Sequence, residues 1–152
     1  MGRMYSAIIE DQATAVANDL FQIEGDTVTP VIHYISVSQN TDFGDAAAEM
    51  VIIKIRRVTD AVTSAATLNQ FDSNDSVAQA DVVAYDTTQL VTGAATIFAE
   101  NWNIALPFIW MPPPEQRIIV PTGNTVVVTM EAPDDSLTIS ATMIWEEIGG
   151  AA

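Results

Sequence analysis

Between Leu137 and Glu146 the sequence alternates: Leu137, Ile139, Ala141, Met143 and Trp145 fall on one parity, Thr138, Ser140, Thr142, Ile144 and Glu146 on the other. Side chains point to opposite faces along a β-strand, so this period of two sets one apolar face against a core and the other toward solvent. The pattern recurs upstream. Val126, Val128 and Met130 oppose Thr125, Val127 and Thr129; Val51, Ile53 and Ile55 oppose Ile52, Lys54 and Arg56; Val31, His33, Ile35 and Val37 oppose Ile32, Tyr34, Ser36 and Ser38.

Turn chemistry divides these runs. Pro121-Thr122-Gly123-Asn124 separates Ile118-Ile119-Val120 from the 125–130 run, which predicts a hairpin over 117–131. "QNTDFGD", residues 39–45, supplies a turn between the strands at 31–38 and 51–56. "ATAVANDLFQIE", residues 13–24, reads as a strand bulged near Asn18-Asp19, because Thr14, Val16, Asn18 and Asp19 weaken a helix. Residues 59–100 are rich in Ala, Thr, Ser, Asp and Gln, with Val82-Val83, Leu90-Val91 and Ile97-Phe98 as apolar anchors; long loops and short strands are expected there. Short strands about every ten residues, with no sustained helical period, predict an all-β fold. An antiparallel β-sandwich, jelly-roll-like and of about eight strands, fits best. The expected organisation is one domain over 1–152 with terminal segments as extended arms, "IGGAA" at the end reading as a flexible tail or an arm that orders only on assembly.

The chain has 152 residues, 49% of them hydrophobic and 16% charged, a balance that excludes intrinsic disorder. At this length a single core buries roughly 70% of the surface the unfolded chain exposes. Cysteine is absent, which removes disulfides, thiolate metal sites and cysteine nucleophiles. Twenty acidic residues against five basic ones give a formal net charge of -15, which repels nucleic-acid phosphates and anionic membranes, so neither is an expected partner. Glu10 and Asp11 interrupt the amino-terminal apolar run that a secretory signal needs, and no stretch of apolar residues is long enough to span a bilayer. "MGRMYS" matches only loosely the pattern for N-myristoylation at Gly2.

Catalytic chemistry finds little footing. His33 is the single histidine and lies on the apolar parity of its run, where a structural imidazole is the expected role. Glu146-Glu147 and Asp134-Asp135 are the visible carboxylate pairs; neighbours on a strand point to opposite faces, and the aspartates follow Pro133 in a turn. Asp72, Asn74 and Ser76 match the first EF-hand spacings, but Val77 and Val83 stand where glycine and a bidentate glutamate are required. A looser Ca²⁺ or Mg²⁺ site built from loop carboxylates stays open. No phosphate loop or dinucleotide fingerprint is present, so no enzyme activity, cofactor or metal is expected.

Surface recognition is the better prospect. Lys54, Arg56 and Arg57 gather three of the five basic residues in "KIRR", either as salt bridges within the chain or as a contact for an acidic surface. Trp145 extends the core stripe. Trp102 and Trp110 flank "NIALPFI" and are candidates for an edge or contact surface, with core packing as the plain alternative. Pro112-Pro113-Pro114 stiffen the segment before Arg117; a preorganised stretch from Trp110 to Arg117 loses less entropy when it docks, with Arg117 as an anchor.

The layout from "DLFQIEGDTVTPVIHYISVSQNTDFGDAAAEMVIIKIRR" through "NWNIALPFIWMPPPEQRIIVPTGNTVVVTMEA" to "LTISATMIWEEIG" resembles the decoration, or cement, proteins of tailed bacteriophages. The resemblance implies a structural virion protein on the capsid exterior. It would bind the major capsid protein and stabilise the assembled shell, as a homotrimer bridging capsomers. The alternative is a carbohydrate-binding or receptor-binding jelly-roll module with Trp102 or Trp110 as the sugar platform.

Overall fold

The computed structural model describes residues 2–41, 49–63 and 66–150. Among them the strands are β1 (Arg3–Thr14), β2 (Asn18–Glu24), β3 (Val28–Gln39), β4 (Met50–Val58), β5 (Asn69–Gln70), β6 (Asp81–Asp86), β7 (Ala95–Asn103), β8 (Phe108–Trp110), β9 (Ile118–Ile119), β10 (Thr125–Met130) and β11 (Leu137–Gly149). The first sheet runs β5-β1-β11-β3-β8, with β9 also on β3; the second runs β6-β2-β10-β4-β7. The ladders within both sheets are antiparallel.

The pairing is nested: β1 with β11, β2 with β10, β3 with β8 and β9, β4 with β7. A long ribbon rolled up on itself produces this order, which is the jelly-roll arrangement. The all-β sandwich read from the alternation is therefore the fold. Its core draws Tyr5, Ile23, Ile32, Ile35, Ile53, Ile55, Val126, Val128, Leu137, Ile139, Met143 and Trp145 from the inner faces of both sheets. Tyr5 and Trp145 stack at 6.0 Å within it.

Rolling also overturns the hairpin expected at 117–131. Ile118 and Ile119 pair with β3 in the first sheet, whereas 125–130 pairs with β2 and β4 in the second. The Pro121–Asn124 turn thus crosses between layers. It is pinned by Gly25, whose carbonyl accepts from Gly123 N at 2.7 Å and whose missing Cβ would stand 2.6 Å from the Val120 carbonyl oxygen. Gly123 itself has φ +73, a left-handed value that glycine adopts freely.

The 13–24 strand is likewise two elements in different sheets, β1 ending at Thr14 and β2 starting at Asn18. A bulge does occur beside Asn18-Asp19: Val128 faces Phe21 and Thr129 faces Asp19, leaving Leu20 as the extra residue. Ile148 and Gly149, expected in a tail, pair with Thr29 and Val28 in β11. Most of the turn expected at 39–45 lies outside the described residues. In the 59–100 region β5 and β6 are short as expected, but β7 runs nine residues.

Candidate functional site

The outer face of the first sheet follows from register. Ile8, Thr142, Ser36 and Ile109 form one row across β1, β11, β3 and β8; Ser6, Ile144 and Tyr34 form the next; Met4, Glu146, Val31 and Ile119 form a third. Ile8, Ile109 and Ile119 are 42%, 56% and 50% exposed, and Ile148 extends the patch at 53%. In a chain of net charge -15, Glu146 is the one acidic side chain in these three rows. A flat, nearly uncharged sheet face with several exposed isoleucines has the character of a contact surface.

A bulge places a charge cluster at its edge. Ile144 faces Tyr34 and Trp145 faces Ile32, so His33 is the extra residue of β3. The sequence put His33 on the apolar stripe; the bulge instead shifts the parity, sends Ile32 into the core and turns His33 toward Glu146. His33 Nε2 lies 3.2 Å from Glu146 Oε2. Burial and the positive field of Arg117 lower the His33 pKa, and Glu146 opposes them. Glu146 Oε1 accepts the Gly2 amide at 2.9 Å. The same bulge coincides with the gap between β8 and β9, which pair with Ile35–Val37 and Val31–Ile32 respectively. Residues 111–117, with a short 3₁₀ turn at Pro114–Gln116, loop out across that gap. The prolines therefore interrupt an edge strand at the sandwich rim, as their lack of ladder donors dictates.

Beside this loop a groove of about 440 Å³ opens between the edge strands of the two sheets, lined by Ile97, Phe98, Ile109, Trp110, Met111 and Pro112 among others. Phe98 on β7 approaches Trp110 on β8 with ring centroids 6.4 Å apart, closing the core beneath.

The six residues proposed from sequence as an interface do not form one patch. Lys54, Arg56 and Arg57 lie on β4 of the second sheet, and Arg117 lies just before β9 of the first. Lys54 Nζ binds Glu131 Oε1 at 2.7 Å. Arg56 keeps Nε and Nη2 buried without hydrogen-bond partners, and its field acts on Asp19. Arg117 Nε is also buried and unpartnered. The tryptophan rings turn inward: Trp102 is 3% exposed and donates from Nε1 to the Leu106 carbonyl at 2.6 Å, and Trp110 is 8% exposed. Of the six, Trp110 and Arg117 bracket the loop at the rim. Ile8 was missed because β1 was not read as a strand; Ile144, standing on the polar parity of β11, was the available signal of an apolar outer face.

The carboxylate pairs stay apart. Glu146 faces outward and Glu147 inward, where its Oε1 accepts from Ala80 N at 3.0 Å and Trp145 Nε1 at 3.3 Å. Asp134 donates its amide to Glu49 Oε1 at 2.5 Å. Asp72 Oδ1 accepts the Asn74 amide in a tight turn at 2.9 Å, and among the described residues no group of histidine, aspartate or glutamate side chains has the arrangement of a metal site. No protein-family model matches the chain, and neither a curated protein nor a solved structure matches it.

Proposed function

We propose that this chain is a structural decoration module that docks onto the outer surface of an assembled phage shell through the outer face of its first sheet. The observation that carries the reading is the charge-poor face with Ile8, Ile109, Ile119 and Ile148 exposed, on a chain otherwise dominated by acidic residues. Among its three rows such a face has one carboxylate to desolvate on docking, Glu146, and the acidic remainder limits clustering at high copy number. Its partner is the major capsid protein and its location the capsid exterior. A sugar-binding role draws no support from Trp102 and Trp110, because neither ring is open to stack on a sugar.

The test is co-sedimentation with undecorated shells of the particle's capsid protein. Saturable binding is expected, with the shells surviving a higher temperature once coated. Ile109→Asp and Ile119→Asp, both at exposed positions, should each weaken binding by about tenfold or more, since each replaces a buried apolar contact with a desolvated charge. Equal binding by both variants would remove this face from the contact, and absence of any binding to shells would end the reading.

A further inference from the structure

The four sheet edges are unequally protected. β5 is two residues long. β8 and β9 have three and two residues, preceded by Pro107 and split by Pro112, Pro113 and Pro114. β6 has acidic ends at Asp81 and Asp86, and its Val82 carbonyl already accepts from Ala66 N at 2.6 Å. β7 differs. It is nine residues, "ATIFAENWN", with no proline, no lysine and one charge, Glu100, and its bulge at Ile97 leaves Phe98 to Asn103 as a continuous paired run. Among the described residues, the ladder partner of Ala95–Trp102 is β4 alone. Long edges without prolines or inward charges are templates for strand pairing, and folded proteins normally blunt them.

We propose that β7 is a self-association edge, pairing antiparallel with β7 of a second copy so that the two second sheets join into one. Three features favour a second copy as the occupant. Antiparallel pairing centred on Ala99 sets Ala99 opposite its own counterpart and Glu100 opposite Phe98, so the two glutamates do not meet. Three of the five basic residues, Lys54, Arg56 and Arg57, sit on β4 opposite Ala99, Thr96 and Ala95, and their charge offsets part of the repulsion that a second acidic copy meets at β7. The adjoining groove offers Ile97, 44% exposed, and Met111, 72% exposed, as apolar surface to cover. The pairing closes with two copies, in place of the trimer implied by the resemblance, and it needs no capsid partner; of the exposed isoleucines on the outer face of the first sheet, Ile109 alone lines the adjoining groove.

Native mass across protein concentration and salt, measured on the full chain, tests it. A monomer–dimer equilibrium is expected, tightening as salt screens the repulsion between copies. Ala99→Lys should raise the dissociation constant by about tenfold or more, by placing two like charges across the new ladder, although it makes each chain less negative. Mixing Ala99→Lys with Ala99→Glu should restore dimers, which a merely misfolded variant would not do. A trimer, a monomer at every concentration, or a dimer indifferent to Ala99→Lys would overturn the proposal. So would a monomer that instead captures a foreign extended peptide along β7.

Discussion

Thr142 and Val127 occupy matching places, each on the outer face of the central strand of its sheet. Thr142 is partly open to solvent, whereas Val127 is 0% exposed. The difference lies in what the chain does after β4 and β6. Segments 59–62 and 87–92 fold back over the second sheet, tied by Val62 N to Glu24 Oε2 at 2.7 Å, Leu90 N to Asp19 Oδ2 at 2.8 Å and Thr92 N to Asp60 Oδ2 at 2.9 Å. Asp19, Gln22, Thr125, Val127 and Thr129 are buried beneath or beside them. The second sheet therefore covers its own outer face, and the first leaves its outer face partly open. Carboxylates accepting backbone amides make the cover possible, since loop N–H groups brought over a sheet need acceptors.

The largest expected effect breaks this contrast directly. Val127→Asp should destabilise the fold by about 3–5 kcal/mol, because the carboxylate has no partner under the cover. Thr142→Asp should stay within about 0.5 kcal/mol, as surface substitutions do. Urea unfolding of both variants measures the difference; equal costs would mean that the two outer faces are equally covered. Next comes Asp19→Ala, which strands the Leu90 amide and the Gln22 side-chain amide and removes the carboxylate that faces the Arg56 field. A loss of about 1–3 kcal/mol is expected, together with faster hydrogen exchange at Leu90.

Two titrations then separate the faces by sign. Burial raises the Asp19 pKa above 3.8, against the hydrogen bonds from Leu90 and Gln22 and the field of Arg56. The folded state thus holds this proton more readily than the unfolded state, and stability from this group rises as pH falls through the raised pKa toward 3.8. Wild type should gain on Asp19→Asn across that interval. His33 on the open face works the other way: its folded pKa lies below 6.5, so stability is fully present above 6.5 and is lost as pH falls through the lowered value. Wild type should lose ground to His33→Gln below 6.5, the smallest of these effects because Glu146 offsets part of the shift. Thermal unfolding from pH 3 to 8 would show both, and slopes of the same sign would contradict the assignment.

Inner-face residues were the legible part of this fold. The stripe Leu137 to Trp145, and Val126, Val128 and Met130, pointed where the sequence put them, because burial of alternate residues leaves a period of two. Where ladders carry an extra residue the reading slipped. His33 was assigned inward because a bulge in β3 cannot be seen as a change of parity without the partner strand. β7 lost its pattern for another reason: as an edge with a bulge at Ile97 it exposes both faces over most of its length, so no alternation marks it. The exposed isoleucines of the first sheet were partly hidden as well. Ile8, Ile109 and Ile119 are more than 100 residues apart at their extremes and become neighbours only across β11 and β3.

By itself the sequence determined that this protein has an all-β sandwich with an apolar interior and an acidic exterior, since periodicity and composition are local and additive. Tertiary structure alone decided which strands meet. It sent the run after Pro121 to the opposite sheet, put Trp102 and Trp110 inside and gave one sheet a cover made from its own loops. Pairing depends on contacts between residues far apart in the chain, where closure entropy and the packing of both sheets choose among partners that look alike in sequence.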